Sequence, residues 1–72
     1  MFDFGSHLKH LRKSRNITQK QLAKEIGASE RGIQHYELGE RKPTYEMLIA
    51  LANYFDISLD YLVGRSDNPE RK

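Results

Sequence analysis

The chain has 72 residues and no cysteine, which limits it to one small domain, burying only about 60% of the surface its unfolded chain exposes, and excludes disulfides and thiolate metal sites. Its net charge of +2 is unevenly spread: residues 1–42 carry nine Lys/Arg against five Asp/Glu, a net +4, and residues 43–72 carry three against five, a net −2. Such polarity fits either a basic face for a polyanion, with the rest of the chain doing another job, or a solvated surface whose asymmetry is accidental. No run approaches 18 apolar residues, and Met1 to His10 lack a basic segment followed by an apolar one. Neither a membrane span nor a signal peptide is expected, and a cytoplasmic protein is the default.

Apolar spacing is helical almost throughout. Phe4, Leu8 and Leu11 fall at i, i+4 and i+7, one face of a first helix. Asp3 suits its N-cap, Arg12, Lys13 and Arg15 suit the C-terminal end of its dipole, and Asn16 breaks it. Thr18-Gln19-Lys20-Gln21 is a capping box that opens a second helix with Leu22, Ala23 and Ile26 as its buried stripe. Gly27 ends it in the left-handed position that follows helices. Ser29 caps a third helix to about Leu38, with Ile33 and Tyr36 on one side, and Gly39 terminates it. Glu40 to Pro43 form a polar loop. Thr44 caps a fourth helix with the strongest stripe, Met47, Leu48, Leu51, Ala52 and Phe55. Asp56 and Ile57 lead to Ser58, the cap of a short fifth helix with Leu59, Leu62 and Val63, which Gly64 stops. The expectation is an all-α bundle of five helices over residues 1–64, followed by a loose polar tail or linker at 65–72.

The second and third helices, joined by a tight turn at Gly27-Ala28, meet the demands of a helix-turn-helix unit. Ala23 is small where the two helices approach most closely, Gly27 tolerates positive φ, and Ile33 and Tyr36 supply the inward side of the second element. With Ile33 and Tyr36 inside, the opposite face presents Glu30, Arg31, Gln34 and His35. These residue types suit base readout in a major groove: Arg for guanine, Gln for adenine, Glu for the cytosine amino group, His for a base edge or a phosphate. The same face also reads as an ordinary solvated helix surface. Gly32, inside this helix, serves either a close approach or nothing.

The run TQKQLAKEIGASERGIQHYELGERKPTYEMLIALANYFDISLDYL resembles the Cro/cI-like (XRE-type) repressors of phages and bacteria, with a likeness from about Phe4 to Gly64. Its most diagnostic parts are Thr18-Gln19, Leu22-Ala23, Gly27, Ile33, Tyr36-Glu37, Gly39, Pro43-Thr44 and Ser58-Leu59-Asp60-Tyr61-Leu62. The resemblance implies the five-helix fold of phage-repressor DNA-binding domains and a transcriptional regulator, usually a repressor, that binds double-stranded DNA through the major groove. It favours Arg31 and Gln34, then Glu30 and His35, as base contacts. Glu30 departs from the neutral or basic residue usual there. The resemblance places Gln19 on a phosphate, and Thr18, Arg41, Lys42 and Tyr45 join it as backbone contacts that fix register. It pairs Glu37 with Arg12 as a structural contact that holds the third helix to the first. In several relatives the fifth helix forms a dimer seam. Here Leu59, Tyr61, Leu62 and Val63 are the candidates, so that a homodimer would read a two-fold symmetric operator.

No enzyme is expected. His7 and His10 are i, i+3 neighbours without a third ligand at metal spacing, and Asp56 and Asp60 suit helix capping. Neither a metal, a cofactor nor a small-molecule substrate is indicated. The rival reading is a protein-interaction module on the same fold, an antitoxin or anti-repressor, with weak or secondary DNA binding.

Overall fold

A short polar residue precedes every helix, and its side chain accepts a backbone N–H from the first turn. These caps are Asp3, Thr18, Ser29, Thr44 and Ser58, and each satisfies a donor that the helix itself leaves unpaired. The computed structural model describes residues 2–71. In it the caps open α1 (Phe4–Ser14), α2 (Gln19–Ile26), α3 (Glu30–Leu38), α4 (Tyr45–Phe55) and α5 (Leu59–Leu62), with no strand among the described residues. At Thr18 the box is complete: its hydroxyl accepts from the Gln21 amide at 3.0 Å, and the Gln21 side chain accepts from the Thr18 amide at 2.7 Å.

The helix ends share one device. Asn16, Gly27, Gly39, Asp56 and Gly64 all adopt positive φ. The amide of the next residue then reaches back five residues: Ile17 to Arg12, Ala28 to Ala23, Glu40 to His35, Ile57 to Ala52, and Arg65 to Asp60. This closure satisfies carbonyls that have no partner within the helix and turns the chain sharply, so five short helices fit within 29 × 24 × 23 Å.

Each helix sends one fully buried side chain to the centre: Leu8, Leu22, Ile33, Leu51 and Leu62. Burying a side chain of this size is worth roughly 1.5–3 kcal/mol, so the core draws on every helix. Ala23, Ile26, Tyr36, Ala52, Phe55 and Ile57 complete it. The α1–α3 crossing rests on Gly5, where a Cβ would run into the carbonyl oxygens of Tyr36 and Glu37. Gly32 has no such role: a Cβ there would meet only the hydroxyl of Ser29, at 3.1 Å.

Two segments depart from the sequence expectation. Residues 65–71 fold back instead of trailing away. The Ser58 amide donates to the Pro69 carbonyl at 2.8 Å, and Arg71 donates to the Asn53 side chain at 2.6 Å. Polar contacts hold this segment, so its lack of apolar residues gave no sign of it. Arg15 does more than complement its own helix dipole: its guanidinium donates to the Phe55 carbonyl at 2.8 Å, at the end of α4, and lies over the Tyr54 and Phe55 rings.

Candidate nucleic-acid interface

Helix α3 has two faces with opposite chemistry. Ile33 and Tyr36 point into the core. Glu30, Arg31 and Gln34 are exposed and His35 is half-buried, so the four residues read from the sequence as base contacts share one solvent-facing surface. With Leu38 and Glu40 they line one shallow depression. Leu38 and Glu40 were missed at the sequence level. Leu38, 64% exposed, carries an apolar group onto this polar face; its i+4 spacing from Gln34 was the available signal. Glu40 lies outside the helix, and only the left-handed turn at Gly39 brings it back over α3.

These side chains are connected. The Glu40 carboxylate lies 2.9 Å from His35 Nδ1, and Arg31 Nε donates to His35 Nε2 at 3.4 Å. A carboxylate can only accept, so Nδ1 carries the proton. In the neutral ring Nε2 is then the acceptor that Arg31 needs.

A second network lies on the inner side of α3. Arg12 grips Glu37 with two N–H groups, at 2.6 and 3.1 Å, and gives a third to the Ile17 carbonyl at 2.8 Å. Both side chains are almost fully buried, 10% and 4% exposed. Gln19, the first residue of α2, adds an N–H to Glu37 at 3.1 Å. One carboxylate on α3 therefore holds α1 and the start of α2, which fixes how α3 stands on the domain.

The residues expected at phosphates are open to solvent. Thr18 is exposed at the start of α2, Arg41 and Lys42 are exposed in the loop after α3, and Tyr45 is 67% exposed at the start of α4. The cations are not equivalent. Arg12 and Arg15 are tied into the fold, so the positive charge of the N-terminal half is only partly available to a ligand.

The α5 candidates divide. Leu62 is fully buried and belongs to the core, which removes it from any seam between copies. A helix of four residues must spend its best-placed apolar side chain on its own domain. Leu59, Tyr61 and Val63 are half-buried, and Phe2, 45% exposed, lies against Gly64 beside them. His7 packs edge-on between the rings of Phe2 and Tyr61. Burial first, and nearby His10 second, push its pKa down, against the opposing effect of the Tyr61 backbone. No group of three or more His, Cys, Asp or Glu able to hold a metal occurs among the described residues, nor does any helix there run long and apolar enough to cross a membrane.

Known proteins resemble the chain in sequence and in fold. The Helix-turn-helix family model matches residues 8–62. The uncharacterized HTH-type transcriptional regulator YobD of Bacillus subtilis (strain 168) is 38% identical over 69 residues, 96% of this chain and 62% of that protein. The cryptic phage CTXphi transcriptional repressor RstR of Vibrio cholerae serotype O1 is 47% identical over 58 residues, 81% of this chain and 52% of that protein. The chain thus spans between half and two thirds of the length of these relatives. Among solved structures, the P22 c2 repressor protein in complex with a synthetic operator superimposes with a TM-score of 0.85 at 32% identity, covering 92% of this chain and 100% of that one. The chain belongs to the helix-turn-helix family of the Cro/cI-like (XRE) type.

Proposed function

We propose that this chain is a sequence-specific, double-stranded DNA-binding transcriptional regulator of the cytoplasm, a repressor that reads the major groove with α3. The observation that carries this reading is the outer face of α3: Glu30, Arg31, Gln34 and His35 stand together in solvent, with Arg41 and Lys42 in the loop that follows. Arg31 and Gln34 supply bidentate donors and acceptors suited to guanine and adenine, and Glu30 and His35 extend the reading. Thr18, Gln19, Arg41, Lys42 and Tyr45 take phosphates and set the register. Gln19 suits this role because its side-chain amide has two N–H groups, one held by Glu37 and the other left for a phosphate oxygen.

One domain reads only a few base pairs, so the regulator acts as a homodimer on a two-fold symmetric operator. The half-buried apolar groups of Leu59, Tyr61 and Val63 support a seam at α5. That P22 c2 repressor, a close structural neighbour, is bound to an operator supports the double-stranded DNA part of this reading.

The test is selection of duplexes from a random-sequence pool, repeated with Arg31→Ala and Gln34→Ala. Wild type is expected to enrich a two-fold symmetric motif, with each variant relaxing one position per half-site. Binding should also weaken steeply with salt, with a log–log slope of about −0.9 per phosphate neutralised. Retention that no salt concentration changes, with no motif enriched, would sink the proposal and point to a protein partner.

A further inference from the structure

We propose that Glu40 and His35 form a positioning relay for the guanidinium of Arg31, so that an acid on the DNA-facing surface serves base discrimination at the expense of affinity. The inference rests on the reading of α3 as the recognition helix.

The geometry is directional. Glu40 is held to His35 at both of its ends: its amide donates to the His35 carbonyl at 2.9 Å, and its carboxylate accepts from Nδ1 at 2.9 Å. The backbone bond is part of the helix closure made possible by Gly39, with φ of 77°. The fold therefore delivers the carboxylate to the ring. The ring, with its proton drawn to Nδ1, turns a lone pair on Nε2 toward Arg31 one helical turn earlier, and Arg31 Nε donates to it at 3.4 Å. Held through Nε, the guanidinium keeps its two terminal nitrogens for a partner in front of the helix. A fork oriented before binding loses less freedom when it engages two acceptors on one base.

The electrostatics would otherwise be unfavourable. Glu40 immediately precedes Arg41 and Lys42, and its side chain is 58% exposed. A carboxylate there repels phosphates and lowers affinity for every duplex alike. Its presence in that place makes sense if it sharpens what Arg31 reads.

The experiment compares the full chain with Glu40→Ala, Arg31→Ala and the double variant. Each is titrated with the duplex that wild type selects and with the same duplex altered at the base pair that Arg31→Ala relaxes. A good bidentate arginine–guanine pair supplies roughly five- to 150-fold discrimination. Glu40→Ala is expected to lower the wild-type ratio by about three- to tenfold, part of that range, while affinity for unrelated DNA rises. In the Arg31→Ala background the same change should leave the ratio alone. Without DNA, nitrogen-detected NMR of the His35 ring should find the proton on Nδ1 in wild type and moved toward Nε2 in Glu40→Ala.

Equal tightening on both duplexes by Glu40→Ala would make Glu40 a mere charge and overturn the relay. So would an effect on the ratio that persists without Arg31, or a His35 tautomer that ignores Glu40. A wild type that distinguishes no duplexes overturns the base reading itself, and is seen before any variant is made.

Discussion

Helix α3 carries two networks of the same composition, each an arginine and a glutamate with one further polar side chain, and burial alone separates their roles. On the inner side Arg12 and Glu37 are shielded from water and Gln19 is half-buried, at distances of 2.6 to 3.1 Å. On the outer side Arg31, His35 and Glu40 are open to it, at 2.9 and 3.4 Å. Charges taken out of water interact strongly and are costly to leave alone. Exposed charges interact weakly and cost little to separate. The inner network therefore fixes where α3 stands, and the outer one remains available to a ligand.

The sharpest way to break this comparison is to remove the buried carboxylate. Glu37→Ala leaves the Arg12 guanidinium buried without its partner, and the expected loss is about 3–5 kcal/mol, a large part of the stability of a small domain. Urea unfolding reads it as a lower midpoint. The double variant Arg12→Met with Glu37→Leu should recover most of the loss, because an apolar pair of similar volume needs no compensation. A single variant that loses less than about 1 kcal/mol would put this pair in the class of surface ion pairs and erase the distinction.

The next effect concerns how closely α1 approaches this helix. Gly5→Ala sets a methyl group against the Tyr36 and Glu37 carbonyls, and overpacking of this kind costs about 1–3 kcal/mol. Gly32→Ala, on α3 itself, meets only the Ser29 hydroxyl at 3.1 Å. Its gain in helix propensity, near 1 kcal/mol, offsets that contact. Thermal unfolding of the two variants should separate a glycine required by packing from one that is not.

What the sequence disclosed follows the same division between local and distant causes. The five N-caps, the turn at Gly27 and the inward side of α3 were legible because each depends on a residue and its neighbours three or four places away. The outer face of α3 followed as the complement of Ile33 and Tyr36. Gly5 was not legible, since its role depends on how two helices cross. Asp56 adopts the left-handed conformation usually left to glycine, and only the closed helix end reveals it. Leu62 could not be divided from Leu59 and Val63 in a helix too short to have a periodic stripe. Glu40 read as a loop residue because its link to His35 runs through the turn between them.

A pH-dependent effect comes from His7, away from both networks. Its Nε2 is buried with no hydrogen-bond partner among the described residues, and burial favours the neutral ring. The folded-state pKa lies below the unfolded value of about 6.5, so the unfolded chain takes up the proton first. Stability is full above that value and declines as pH falls through the folded pKa. Melting temperatures at pH 7.5 and 5.5 should drop more for wild type than for His7→Phe. Equal drops would assign the titration elsewhere.

The smallest expected effect on folding is the one that tests the outer network. His35 and Glu40 are 33% and 58% exposed, and a pair so placed contributes about 0–1 kcal/mol. Glu40 also sits just past the negative end of the α3 dipole, where an acid is disfavoured. The two contributions oppose each other, so Glu40→Ala should leave the unfolding free energy from urea titration within about 0.5 kcal/mol of wild type, the range usual for surface substitutions. The same variant is expected to change discrimination between duplexes several-fold. A loss of stability comparable to that of Glu37→Ala would give both networks one structural role, and any change in DNA reading would then follow from a displaced helix. Unchanged stability with a changed ratio would locate specificity in the orientation of one side chain and not in the packing of α3.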